Sequence, residues 1–144
     1  MLVDSSTLFL VSCVSKKGVQ PAAARDLYAS PWFRLARSYV ERHRAEWFIL
    51  SAEYGLLEPD RVVAPYNRTL NAMAAAERRA WAQRVMQSIR VLDQHWERIV
   101  LLAGLRYREF LVDELCDVAT VVEAPLARLG IGQQMRWLKE GATR

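Results

Sequence analysis

The sequence predicts a single α/β domain: a four-stranded, mostly parallel sheet with helices on both faces. Three observations carry that prediction. Four short apolar runs, Leu8 to Val14, Trp47 to Leu50, Ile99 to Leu102 and Val118 to Val122, read as strands. Each is followed by a helical pattern, and between run and helix lies a segment rich in Ser, Lys, Gly, Pro and Tyr. The resulting βαβαβαβα order implies a three-layer domain with right-handed crossovers. Ligands of open α/β sheets bind outside the carboxyl ends of the strands, so these loops predict one concave site.

The first strand, Thr7 to Val14, is almost continuously apolar, as a strand buried on both faces is. A loop from Ser15 to Ala29 follows, broken by Gly18 and Pro21. Ser30-Pro31 is a helix start, with Ser capping and Pro at the first helical position. Trp32, Leu35, Ala36, Tyr39 and Val40 then recur at helical spacing. The second strand, Glu46 to Ser51, runs into a long loop that ends near Leu70 and is kept irregular by Pro59 and Pro65. The longest helix is predicted over Ala72 to His95, with an apolar line of Trp81, Val85, Ile89, Leu92 and Trp96. A third strand, Arg98 to Ala103, meets Gly104 and a helix to about Cys116. The fourth strand, Asp117 to Val122, leads through Pro125 and a Gly130-Ile131-Gly132 turn to a last helix ending near Glu140.

The 144 residues are expected to form one domain over 1–144, since 52% are apolar and no linker or repeat interrupts them. No apolar run approaches the ~18 residues of a membrane span. The first residues lack the basic start and cleavage site of a signal peptide. Cys13 and Cys116 form no CxxC pair and fit a reducing compartment, so a cytoplasmic location is expected. A net charge of +4 mildly favours an anionic partner, but the basic residues are scattered along helices.

Chemistry-bearing residues concentrate in the loops. The first carries Ser12, Cys13, Lys16 and Lys17, then Asp26, Tyr28 and Ser30. Paired lysines can bind phosphate, and a lysine beside another cation is one route to a nucleophilic amine. Lys16 is the one expected to point inward. Cys13 reads first as a small buried residue, and Asp26 as the carboxylate best placed for acid–base work. The second loop carries Ser51, Tyr54, Gly55, Tyr66 and Asn67. Its tyrosines offer flat faces for a base or sugar, Gly55 a tight turn or close approach, and Asn67 a turn or a ligand contact. The third loop holds Gly104, which frees helix amides for an anion, and Tyr107. The fourth holds Pro125, Gln133 and Gln134, whose amides can pair with a nucleobase edge. Each of these also has an ordinary structural use as core, cap or turn.

Both histidines, His43 and His95, fall at helix ends away from the loops, which argues against a Ser-His-Asp or Cys-His pair. No His/Cys/Asp cluster has metal-ligand spacing, and neither GxxxxGK[ST] nor GxGxxG occurs. No metal and no cofactor are therefore expected.

Val11-Ser-Cys-Val-Ser-Lys-Lys, Pro21 to Phe33, Ile49-Leu-Ser-Ala-Glu-Tyr-Gly-Leu-Leu-Glu-Pro, Pro65-Tyr-Asn-Arg-Thr-Leu, Ala103-Gly-Leu-Arg-Tyr, Pro125-Leu and Gly132-Gln-Gln together resemble an uncharacterised bacterial and phage family of small domains. The second loop also resembles the peroxide-stress protein YaaA family, linked to DNA binding and protection from oxidative damage. The Cys13/Lys16 loop is similar to one in archaeosine synthase, which acts on a 7-deazaguanine base, although the Lys-Pro-Tyr context of that enzyme is missing. The order of elements and the Pro-Leu loop resemble the uracil-DNA glycosylase fold. Asn67 departs from the Pro-Tyr-Asp expected at its position.

These resemblances imply an enzyme that cleaves or exchanges the N-glycosidic bond of a base, normal or modified. In that reading Asp26 orients water or stabilises the sugar cation, and Lys16 binds phosphate or the leaving base. Ser12 and Ser51 place the substrate, Tyr54 or Tyr66 stacks on the base, and Gln133 reads its edge. The partner would be nucleic acid, with DNA favoured over RNA, or a free nucleobase or nucleoside. No membrane partner is implied, and the oligomeric state is left open. The alternatives are a non-catalytic DNA-binding or oxidative-stress protection domain and a mononucleoside enzyme.

Overall fold

The computed structural model describes residues 4–141. Its centre is a five-stranded mixed sheet made of β1 (Asp4–Ser12), β3 (Ala45–Ser51), β4 (Gly55–Leu57), β6 (Trp96–Leu102) and β7 (Ala119–Glu123). The order across the sheet is β4-β3-β1-β6-β7. The four strands expected from the sequence all pair in parallel, with Leu10 of β1 between Phe48 of β3 and Leu101 of β6. β4 is an additional antiparallel edge strand hidden in the second loop. Gly55 makes that hairpin possible: its φ of 69° is left-handed, a region closed to most side-chain-bearing residues. The central strand β1 is buried over Thr7–Ser12, as its nearly unbroken apolar run requires.

The helices are α1 (Ala24–Leu27), α2 (Pro31–Arg42), α3 (Ala75–Val91), α4 (Leu105–Arg108), α5 (Val112–Leu115) and α6 (Ile131–Gly141). From β1 the chain crosses to β3 on one side, and from β6 it crosses to β7 on the other. Right-handed crossovers in opposite directions put their helices on opposite faces. The packing agrees: α2 lies against β1, β3 and α6, while α3 lies against β4 and α4. Among the described residues, no helix is long and apolar enough to cross a membrane.

Two helices differ from the sequence expectation. The long one spans Ala75–Val91, preceded by a 3-10 turn at Leu70–Ala72. It stops because Asp93 takes a left-handed φ of 50°, so Leu92 is its exposed cap and Trp96 is the fully buried start of β6. The helix expected after Gly104 divides into α4 and α5. At the break the backbone tightens to a three-residue bond, Leu111 N–H to the Arg108 carbonyl (3.0 Å). Tyr107, Leu111 and Leu115, four residues apart, remain buried across it.

The two long loops are joined to each other. Ala22–Ala23 (β2) and Val62–Val63 (β5) form a two-stranded antiparallel ribbon. The Ala24 amide donates to the Arg61 carbonyl (2.8 Å), and that of Arg25 to the Pro59 carbonyl (2.9 Å). Segments too short to show a period thus hold both loops over one edge of the sheet.

Candidate functional site

β1 and β6 are adjacent strands whose connections leave in opposite directions, so their carboxyl ends flank the topological switch point where open α/β sheets bind ligands. A crevice opens there in two halves that share Ser12, Val14 and Gly104. All four strand-end loops contribute to it.

One half, about 400 Å³, is walled by Pro31 and Trp32 at the start of α2 and by Ile131, Gln134 and Met135 of α6. Trp32 is there because Ser30 starts the helix: its Oγ accepts the Phe33 amide (3.0 Å), with Pro31 at the first helical position. Gln134 is held in one orientation. Its Oε1 accepts the Trp32 indole N–H (2.9 Å), and its Nε2 donates to the Leu129 carbonyl (2.9 Å). One lone pair and one N–H of the amide remain for a ligand. Neighbouring Gln133 has a different task, accepting the Gly130 amide (3.1 Å) and so capping α6.

The other half, about 480 Å³, is polar, with Ser15, Thr69, Asn71, Arg106 and Tyr107 among its walls. α4 is only four residues long, so the anion site expected from helix amides at Gly104 is not formed; Arg106 is the cationic group on this wall. Cys13, 6% exposed, faces it. The Cys13 thiol lies 3.5 Å from the Tyr107 hydroxyl, which also accepts the Leu70 amide (3.3 Å).

Behind Cys13 lies a chain of hydroxyls. Fully buried Ser51 accepts the amides of Glu53 (3.2 Å) and Tyr54 (2.9 Å) and donates to the Tyr66 hydroxyl (2.9 Å). Tyr66 and Tyr28 share a 2.7 Å hydrogen bond. Burial first, and then the neighbouring Cys13, push the phenols of Tyr28, Tyr66 and Tyr107 well above the usual tyrosine range, so all three stay protonated.

Lys17 sits on this cluster, its Nζ 4.3 Å from the Tyr66 ring centroid and 5.8 Å from that of Tyr28. An isolated antiparallel bridge between Lys17 and Tyr28 fixes it. The Gly18 amide to the Leu27 carbonyl and the Ala29 amide to the Lys16 carbonyl, both 2.9 Å, complete the pairing. Successive side chains on such a pairing point to opposite sides. Lys17 turns in and Lys16 out, the reverse of the sequence expectation. Burial lowers the Lys17 pKa, partly opposed by Cys13.

Asp26 is also displaced from its expected role. It is exposed and paired with Arg37 (2.6 Å), which also binds Glu41, in a surface network joined by Arg25 and Asp60. It does not line the crevice. Neither does Asn67, which is exposed, nor Pro125, half-buried in the turn after β7. Tyr54 packs edge-on against Tyr66 (5.5 Å) and bonds the Ala64 carbonyl (3.3 Å), so it buttresses the cluster from behind. Ser12, Cys13, Ser30, Gly104, Tyr107 and Gln134 are the expected residues that meet at the crevice. Trp32, Thr69, Asn71, Arg106, Ile131 and Met135 join them without having been singled out. An apolar residue, Ile131, set between Gly130 and Gly132, and a basic one, Arg106, two positions after Gly104, were the available signals.

Residues 8–140 match the model of DUF6884, a family of unknown function. The chain belongs to DUF6884. An uncharacterised protein of Bacillus subtilis (strain 168), YfjM, is 34% identical to it over 117 residues, covering 72% of this chain and 73% of the relative. No solved structure matches this DUF6884 chain. The match begins at Leu8 in β1 and runs to Glu140 in α6, so it takes in every wall of the crevice.

Proposed function

We propose that the crevice receives a nucleobase and that the protein cleaves or exchanges the N-glycosidic bond holding it, in the manner of a DNA glycosylase. The observation that carries this reading is the division of the crevice. One half is an apolar slot with a fixed amide, and the other is a polar chamber with an arginine. A base fits the slot against Trp32 and Met135, with its edge on the free N–H and lone pair of Gln134. Sugar and phosphate fall in the polar half, where Arg106 meets the phosphate and Asn71 and Thr69 the sugar. A base lifted out of the stack reaches such a pocket directly. The switch-point site, the resemblance to the YaaA family and the uracil-DNA-glycosylase-like order of elements support the same class of substrate.

Breaking the C1′–N bond sends its electron pair to the base and leaves positive charge on the sugar. Asp26, paired with Arg37, has no part in this chemistry, and among the described residues no carboxylate lines the crevice. Donors to the departing base, above all Gln134, carry the stabilisation, and Asn71 and Ser12 can hold a water at the sugar. The lack of a lining carboxylate specifically favours a second reading, a DNA-binding domain without turnover.

The test is mass-spectrometric detection of free base after incubation with DNA and RNA carrying normal and modified bases. Release lost in Gln134→Ala and retained in Asp26→Asn supports the glycosylase reading. No release from any pool, with salt-sensitive binding lost in Arg106→Ala, supports the binding reading. Tight, salt-independent binding of mononucleosides would refute both.

A further inference from the structure

We propose that Lys17 is a nucleophilic amine that forms an imine with C1′ of the sugar bound in the polar half of the crevice. This rests on the reading of the crevice as a nucleobase site and adds its covalent chemistry. Lysine usage gives the first argument. The chain has 3 lysines among 20 basic residues, at positions 16, 17 and 139. Arginine supplies charge almost everywhere else, yet it cannot lose a proton near neutrality, whereas a half-buried lysine can. A lysine set on a tyrosine cluster beside the crevice is therefore placed where its distinguishing chemistry has a use.

Geometry gives the second. The bridge to Tyr28 turns the Lys17 side chain inward and fixes its backbone. Its Nζ donates to the Ser15 carbonyl (3.2 Å), and Ser15 lines the polar half. Lys17 itself lines neither half, its Nζ lying over the Tyr66 ring; Ser15 is its link to the polar half, and the amine reaches the sugar by swinging past Ser15 into the chamber. Burial lowers its pKa and raises the fraction of neutral amine, while no carboxylate pairs with it among the described residues. Asp26, the acidic group in the same loop, is occupied by Arg37. The protonated phenols of Tyr28 and Tyr66 beneath it carry no charge, so they do not work against burial as Cys13 does.

The step balances. The amine lone pair forms a bond to C1′ as the C1′–N bond breaks, its pair leaving with the base, which takes one proton from the amine. The C1′–O4′ bond then opens, O4′ takes the remaining amine proton, and nitrogen and C1′ form the imine. With a base-free sugar, the amine condenses with the C1′ aldehyde and water leaves.

The experiment uses a synthetic oligonucleotide carrying one abasic site, duplex and single-stranded, with sodium borohydride to reduce any imine to a stable secondary amine. Peptide mapping by mass spectrometry then locates the adduct. An adduct on Lys17 of the unmodified protein, lost in Lys17→Arg and retained in Lys16→Ala, is expected. Mapping on the unmodified protein decides the matter even if Lys17→Arg fails to fold. No adduct, or one confined to Lys16, Lys139 or the amino terminus, overturns the proposal. The base-release assay fails separately: release without an adduct removes Lys17 and leaves the glycosylase reading standing. An adduct on Lys17 without release from any pool keeps the amine chemistry and removes base cleavage.

Discussion

Replacing Ser51 by Ala tests whether one buried hydroxyl organises both the β3–β4 turn and the tyrosine cluster. The change deletes three hydrogen bonds: from the Tyr54 amide (2.9 Å), from the Glu53 amide (3.2 Å) and to the Tyr66 hydroxyl (2.9 Å). Glu53 is exposed, so its amide regains water at little cost. The Tyr54 amide does not recover as easily, and the Tyr66 hydroxyl keeps its bond to Tyr28 but loses the one to Ser51. At about 1–2 kcal/mol for each of these two lost bonds, the loss comes to about 2–4 kcal/mol. For a chain of this length that lowers Tm by roughly 6–15 °C. Thermal and urea unfolding followed by circular dichroism measure it. Tyr66→Phe removes the other end of one of these bonds and is expected to cost about 1–2 kcal/mol. The double variant should cost less than the sum of the two, since both break the same contact. If Ser51→Ala unfolds within about 0.5 kcal/mol of the unmodified protein, or the two changes simply add, the hydroxyl chain does not hold the site together.

Trp81→Phe keeps an aromatic ring against Tyr107 but loses the indole bond to the Ser51 carbonyl (2.9 Å), and should cost about 1–2 kcal/mol in urea unfolding. Gly55→Ala puts a side chain at a φ of 69° and should cost about 1 kcal/mol by the same assay, although its added carbon meets nothing closer than 3.9 Å. Asp26→Asn breaks a solvent-exposed pair and should change stability by less than about 1 kcal/mol, with the difference shrinking in high salt. Stability should fall as pH rises past the ordinary tyrosine value near 10. There the unfolded chain releases phenolic protons that the folded Tyr28, Tyr66 and Tyr107 retain. Phenolate absorbance from these residues should therefore appear together with alkaline unfolding; independent titration of all tyrosines in the folded protein would contradict their burial.

Much of the framework was legible in the sequence. A strand buried on both faces shows as a nearly unbroken apolar run, and β1 is one. The start of α2 is written in Ser30-Pro31, because a cap and a fixed φ act on the nearest turn alone. The loops that build the crevice were also visible, since the carboxyl ends of parallel strands gather them on one edge. Within those loops the assignments divided. Ser12, Cys13 and Gln134 reach the crevice, whereas Asp26 and Gln133 are taken up by Arg37 and by the cap of α6.

The sequence by itself thus determined the α/β class, the four parallel strands and the edge on which the crevice lies, because periodicity, caps and breakers act over a few residues. Tertiary structure alone decided which side chains look into the crevice. Lys17 rather than Lys16 turns inward because the backbone at 17 bridges to Tyr28, a pairing with no local signature. Cys13 meets Tyr107 across 94 positions of chain, and β2 meets β5 through two residues each. Such contacts depend on where the whole sheet delivers its loops, and side-chain direction in a loop follows from that delivery.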